Sequence, residues 1–140
     1  MKKVVSLVIV LVLVSCSSTK SKDTNSLYKV LVSSEYGGGN FQFYEIISEQ
    51  KEFRMLLGDD EIKKFVKPND ITTSNFILLN MGEKTSGGYS IEVVKVEELA
   101  DKIVVTVKEN GPTTGQNVTD ALTNPYSVVK INSKKPIEIK

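Results

Sequence analysis

The chain has 140 residues, 25% of them charged, with 18 lysines and arginines against 17 aspartates and glutamates. So even a balance argues against recognition of nucleic acid by whole-molecule electrostatics. Histidine is absent, which removes the commonest general base, proton shuttle and metal ligand, and with it every catalytic triad that needs one.

The first sixteen residues, MKKVVSLVIVLVLVSC, set two lysines before an apolar run over residues 4–14 that only Ser6 interrupts. That order is the pattern of an export signal. As a helix, those eleven residues would span about 16 Å against ~30 Å of hydrocarbon, too short for a comfortable transmembrane segment. Leu13, Val14, Ser15 and Cys16 in succession resemble the bacterial lipobox. The resemblance implies cleavage before Cys16, a diacylglyceryl thioether on its sulfur, and a fatty acyl chain such as palmitate on the new amino terminus. Two or more acyl chains anchor a protein stably where one does not. Cys16 is thus the expected lipid attachment site. The protein is expected to be exported and lipid-anchored to a bacterial membrane, at the outer membrane or cell surface.

Loss of residues 1–15 takes away Lys2 and Lys3 and no acid, leaving 16 basic residues against 17 acidic ones. Cys16 is the one cysteine, so no disulfide is available. Residues 17–26, SSTKSKDTNS, contain nothing apolar and read as a solvated tether. The expected organisation is a lipoprotein signal peptide over 1–15, the lipidated cysteine and flexible tether over 16–26, and one domain over 27–140.

After the tether, Tyr28, Val30 and Val32 alternate with Lys29 and Leu31, predicting a strand whose apolar face is Tyr28, Val30 and Val32. SSEYGGGN interrupts it, and three successive glycines favour a turn or bulge. FQFYEII, residues 41–47, predicts a second strand. The period then changes. Ser48 is the expected N-cap, Glu49 suits a first turn, Phe53, Leu56 and Leu57 share a face, and Gly58 supplies the stop. A second short helix is expected from about Asp60, capped by Asp59, with Ile62, Phe65 and Val66 on one face. It must end before Lys67-Pro68.

From residue 70 onward the pattern is that of strands. NFILLNM is an almost continuous apolar run, as in a central strand covered on both faces. YSIEVVKVEE alternates at Tyr89, Ile91 and Val93, then changes parity at Val94 and Val96, which predicts a bulge. KIVVTVKE is another strand, YSVVKI repeats the parity slip, and PIEIK reads as an edge strand behind Pro136. The expected fold class is α+β: a mostly antiparallel β-sheet or small sandwich of six to seven strands, with one short helical pair inserted near the N-terminus.

Chemistry-bearing patterns are few. The Ser-x-x-Lys spacing occurs at Ser17 and Lys20, inside the tether. GDDE, residues 58–61, sets three carboxylates together, but acids at a helix start are ordinary capping residues. They lack the spaced oxygens of an EF-hand loop. NVT, residues 117–119, fits a glycosylation sequon that has no bearing on a bacterial lipoprotein. The reading is therefore of a protein that is not an enzyme, with no cofactor, no metal and no nucleic-acid partner.

The loops carry the remaining information. GEKTSGG, residues 82–88, joins two strong strands, and a hairpin with glycines at φ > 0 and Tyr89 in the core would explain its glycines. It would not explain seven residues where two suffice. Residues 110–125, NGPTTGQNVTDALTNP, form a longer connection, expected to be tied down by Ala121 and Leu122. Loops of that length in compact domains tend to be functional or disordered.

NMGEKTSGGYSIEVVKVEE, IVVTVKENGP and ALTNPYSVVKI together resemble the C-terminal domain of the PrcB family, lipoprotein subunits associated with secreted serine protease complexes. The family's Thr-Gly-Gly-Tyr turn is matched by Thr85, Gly87, Gly88 and Tyr89, with Ser86 inserted, and its later Pro-Tyr element by Pro125 and Tyr126. The likeness covers roughly residues 28–140 and is strongest over 70–132. It implies a protein partner, a secreted protease among the candidates. The loops expected to contact it are Lys84, Thr85, Ser86, Gly87, Gly88 and Tyr89 in the first, and Pro112, Thr113, Thr114, Asn124, Pro125 and Tyr126 in the second. A looser likeness joins GPTTG, YGGG and TSGGY to the loops of chagasin-type cysteine-protease inhibitors, although Asn110 precedes Gly111 rather than Pro112. The leading reading is a lipid-anchored binding or accessory module. A loop-inserting protease inhibitor and an envelope domain for a small ligand or glycan are the alternatives.

Overall fold

The computed structural model describes residues 27–140. The export signal, Cys16 and the tether lie outside the described residues. The elements run β1 (Tyr28–Ser34), β2 (Gln42–Ile47), α1 (Gln50–Gly58), 3-10 turns at Ile62–Lys64 and Asp70–Thr72, β3 (Asn75–Met81), β4 (Ser90–Glu98), β5 (Ile103–Asn110), β6 (Tyr126–Ile131) and β7 (Ile137–Ile139). The described strands form a four-stranded sheet in the order β1-β6-β3-β2 and a three-stranded sheet in the order β4-β5-β7. All pairs are antiparallel except β5 with β7, which are parallel.

The larger sheet buries both faces. One packs on the smaller sheet through Ile77, Leu79, Val129, Ile91, Ile103 and Val105, forming core one. The other is covered by α1 and the 3-10 turns through Phe53, Leu56, Ile62, Phe76 and Val128, forming core two. β3 sits between β6 and β2 and faces both cores, which is why its sequence is almost wholly apolar. Each such large side chain, fully buried, stabilises by roughly 1.5–3 kcal/mol.

Several local expectations shift. On β1 the buried residue is Leu31, while Val30 is 43% exposed. The register against β6 slips between Val30 and Val32, so Leu31 is an extra residue turned toward core two. β6 itself carries no bulge. Its successive Val128 and Val129 are both buried because they face different cores, and the slip opposite them belongs to β1. The bulge expected on β4 is present between Val93 and Lys95, leaving Val94 exposed and Val96 buried.

The N-cap of α1 is Glu49, not Ser48, and no side chain caps it. The expected helical pair is one helix followed by 3-10 turns. Asp59 does cap the first turn, its Oδ1 accepting from the amides of Glu61 and Ile62 at 2.9 and 3.0 Å. The segment before Pro68 is too short to repay α-helix nucleation. Phe65, 48% exposed, does not share the buried face of Ile62 and Val66.

The connection over residues 82–89 is not a hairpin. β3 belongs to the larger sheet and β4 to the smaller, so the chain must cross the sandwich. A crossing needs more residues than a two-residue turn. The connection from β5 to β6 crosses back.

Candidate functional site

Strand pairing decides where the loops meet. Ser34 and Asn80 both face Tyr126, Gln42 faces Met81, and Ser90 faces Asn110. The loops over residues 35–41, 82–89 and 111–125 therefore gather at one end of the sandwich.

Backbone hydrogen bonds sew them together. Lys84 and Thr123 exchange bonds in both directions, at 2.8 and 3.0 Å. The Gly87 amide donates to the Thr119 carbonyl at 3.0 Å. The Asn124 amide donates to the Glu35 carbonyl, and the Gly38 amide to the Asn124 carbonyl, each at 2.9 Å. The Met81 amide donates to the Pro125 carbonyl at 2.9 Å. These bonds order a region that contains no regular element.

Two buried polar side chains complete the framework. Thr123, fully buried, donates its hydroxyl to the Ser86 carbonyl at 2.8 Å. Asn80, 1% exposed, accepts from the Gly39 amide at 2.9 Å and donates to the Gly39 and Phe41 carbonyls. A buried amide that makes all its bonds fixes the loop it holds. Geometry requires glycine at several positions here, Gly88 and Gly38 among them. Gly88 has φ +84°, and a Cβ there would lie 2.8 Å from Val118. At Gly38 a Cβ would lie 2.2 Å from Asn80 Oδ1 and 2.6 Å from the Asn124 carbonyl oxygen. Gly87, by contrast, is not in the left-handed region.

The residues singled out from the sequence are distributed unevenly over this end. Thr85, Thr113 and Thr114 are exposed at its tips. Lys84, Ser86, Gly88, Pro112 and Asn124 are half-buried beneath them, and Gly87 and Pro125 are buried. Thr113 is braced by Gln116, whose side-chain oxygen accepts from its amide at 3.0 Å. Tyr89 packs against core one, with Lys84 Nζ 5.7 Å from its ring centroid, a cation–π distance. Tyr126 lies on the other face of the larger sheet, against core two. Ala121 and Leu122 do not tie the long loop down. Both are exposed, Leu122 by 60%, and Thr123 and Pro125 hold the loop instead.

Sequence reasoning passed over Glu35, Asn80 and Thr123. Asn80 had a readable signal, since an asparagine inside NFILLNM must find partners or sit at an interruption. Glu35 and Thr123 had none, because their partners are remote in sequence.

Beneath the loop end, on the core-two side, lies a cavity of about 330 Å³. Its walls include Gly38, Phe43, Glu45, Met55, Leu78 and Tyr126. Burial pushes the Tyr126 phenol up, and the carboxylates of Asp59 and Glu61 add to it. Across the sandwich, Gln42 and Tyr44 of β2 both donate to Glu109 Oε1 of β5. Burial, then the Glu109 carboxylate, pushes the Tyr44 phenol up to about 12. No group of three or more acidic or cysteine side chains among the described residues is placed to hold a metal. No helix among them is long and apolar enough to cross a membrane.

Residues 75–132 match the family model described as PrcB C-terminal. The match runs from the start of β3 to just past β6, so it contains both sheet-crossing loops and the Lys84–Thr123 bridge. The resemblance to that family is thereby shown for residues 75–132, the stretch that holds Thr85, Gly87, Gly88, Tyr89, Pro125 and Tyr126. Searches of curated proteins and of solved structures found no match.

Proposed function

We propose that this chain is a lipid-anchored accessory subunit of a bacterial envelope that docks a protein partner, a secreted protease, through the loop end of its sandwich, and that it performs no catalysis itself. The observation that carries the reading is the two-way backbone bridge between Lys84 and Thr123. It locks two connections of the PrcB-like region into one surface with Thr85, Thr113 and Thr114 exposed at its tips. A surface ordered before contact loses less conformational freedom on binding.

The polarity of β1 agrees. Ser34 is at the loop end and Tyr28 at the opposite one, so the described chain begins, at Leu27, at the end remote from the loops. Two buried hydroxyls have structural partners: Thr123 donates to the Ser86 carbonyl and Ser127 to the Val32 carbonyl.

The test is binding of the detergent-solubilised chain to secreted serine proteases of the same organism. The double substitution of Lys84 and Thr85 to alanine should weaken binding on the order of tenfold while the melting temperature stays constant. Absence of binding to all of them, or binding indifferent to Lys84, Thr85, Thr113 and Thr114, defeats the reading. One observation favours an inhibitor as the second reading: YGGG, TSGGY and GPTTG all fall at this same end. An inhibitor abolishes proteolysis stoichiometrically, whereas an accessory subunit leaves the bound protease active.

A further inference from the structure

The outer strand of a sheet presents unpaired backbone donors and acceptors, and folded proteins blunt that edge with bulges, lysines, prolines or short length. The described residues have four such edges. β1 is bulged at Leu31 and carries Lys29. β4 is bulged at Val94 and carries Lys95, Glu97 and Glu98. β7 is three residues long and follows Pro136. β2 has no bulge, lysine or proline, and its one charged residue is Glu45. Its register against β3 runs unbroken from Gln42 opposite Met81 to Ile47 opposite Phe76. Apart from the buried Ile47, side chains on both faces are partly exposed, with Phe43 40%, Tyr44 38% and Ile46 37% exposed, and Phe41 just before them 83% exposed. The bonds from Gln42 and Tyr44 to Glu109 hold the strand upright against the second sheet.

We infer that β2 is a docking edge for an extended segment of a protein partner, which adds a strand to the larger sheet and carries a lysine or arginine between apolar residues. Charge and shape together specify that chemistry. Glu45, at mid-strand, has no ion-pair partner among the described residues. Asp59, on the same cavity, accepts from the amides of Glu61 and Ile62 and adds a second carboxylate to that wall. Phe43, Glu45 and Ile47 share one face of β2 and form a wall of the cavity, with Met55, 63% exposed, at its rim. Alternate side chains of an added strand fall on that face, within cross-strand reach of these residues. The cationic residue meets Glu45, and its apolar neighbours two positions away cover Phe43 and Met55. Strand addition of this kind draws affinity from the backbone and specificity from such alternate side chains. A second copy fits less well. Antiparallel pairing of β2 with itself in the register that sets Glu45 opposite Glu45 brings the two carboxylates within cross-strand reach, which is unfavourable. The edge adjoins the loop end, but adding a strand to it does not depend on the loops binding anything.

The experiment uses the full chain in detergent micelles and follows hydrogen–deuterium exchange over residues 42–47. The probes are two synthetic heptapeptides, one alternating valine with lysine and one alternating valine with glutamate. The lysine peptide should slow exchange across β2 and the glutamate peptide should not. Glu45→Lys should weaken the lysine peptide on the order of tenfold and reverse the preference. Ile46→Lys, on the opposite face, should weaken the lysine peptide too, so the outcome does not rest on one variant folding. Substituting Lys84 and Thr85 should leave peptide binding unchanged. The inference is overturned if neither peptide protects β2 at millimolar concentration, or if protection maps elsewhere. It is also overturned if residues 42–47 become protected with rising chain concentration alone, which would assign the edge to a second copy.

Discussion

Core one and core two are built on the two faces of the same sheet, yet they are closed in different ways. Core one lies between two sheets, and Ile77, Leu79, Ile103, Val105, Val129 and Ile131 are completely buried. Core two is closed by a nine-residue helix and short 3-10 turns, and the roof stops before the loop end. The cavity beside Leu56 and the bare side chains of Phe43 and Met55 mark where it stops. A sheet covers a neighbouring sheet along its whole length, whereas one short helix covers only part of it. The unprotected edge strand β2 lines that cavity through Phe43, Glu45 and Ile47.

The sharpest way to break this comparison is to empty each core by the same side chain. Leu79→Ala, in the sealed core, should cost about 4–5 kcal/mol, because rigid strands on both sides keep the hole open. Leu56→Ala, beside the cavity, should cost about 2–3 kcal/mol, because α1 can settle toward the sheet. Equal costs by chemical denaturation would mean that the helical roof is as rigid as the second sheet.

The loop end offers a different contrast, since it is held by hydrogen bonds rather than by apolar packing. Asn80→Ala removes the bonds to the Gly39 amide and to the Gly39 and Phe41 carbonyls, leaving Gly39 O only the long bond from Asn124, and should cost about 1–3 kcal/mol. Gly88→Ala should cost more than ~1 kcal/mol, because alanine is strained at φ +84° and meets Val118. If both variants unfold at the wild-type denaturant concentration, the loops are not fixed by the framework described above.

A smaller effect separates the floor of core two from its roof. Asp70 pairs with Lys130 at 3.0 Å, and Lys130 in turn lies 6.0 Å from the Phe76 ring centroid. Burial alone would raise the Asp70 carboxyl. The Lys67 amide and the Lys130 ammonium outweigh it and hold the group below its ordinary value near 3.8. A depressed carboxyl stabilises the fold above that ordinary value, and the contribution fades as pH falls through the lower, folded value. Asp70→Asn should therefore cost about 1 kcal/mol at neutral pH and flatten the acid limb of the stability curve. An unchanged acid limb would show that the pair is immaterial to folding.

The smallest effect concerns Tyr44, on the exposed edge. Its phenol is pushed up to about 12, so it favours the fold below pH 10 and ceases to as pH rises toward 12. Tyr44→Phe should cost about 0.5–1 kcal/mol at neutral pH. It should also remove a late-titrating component from the ultraviolet titration of the five tyrosines. Loss of an early component instead would place Tyr44 away from Glu109.

Much of this was legible in the residues themselves. Apolar periodicity located the strands, the doubly buried β3, the bulge at Val94, the helix over Phe53 and Leu56, and the cap at Asp59. The Thr85–Tyr89 turn pointed to the PrcB family. Periodicity reports how much of a strand is covered, but carries no information about which strand covers it. Only the tertiary structure could place β3 and β4 in different sheets, turn the 82–89 connection from a hairpin into a crossing, and run β7 parallel to β5. The candidate site divides in the same way. Its glycines and threonines stand out in the sequence, but Thr123 opposite Lys84, Asn80 under Gly39 and Glu35 beside Asn124 are joined across 39, 41 and 89 positions of chain. Such pairs depend on two strands having already met, because a single hydrogen bond contributes too little to bring distant segments together against the entropy of closing the loop between them.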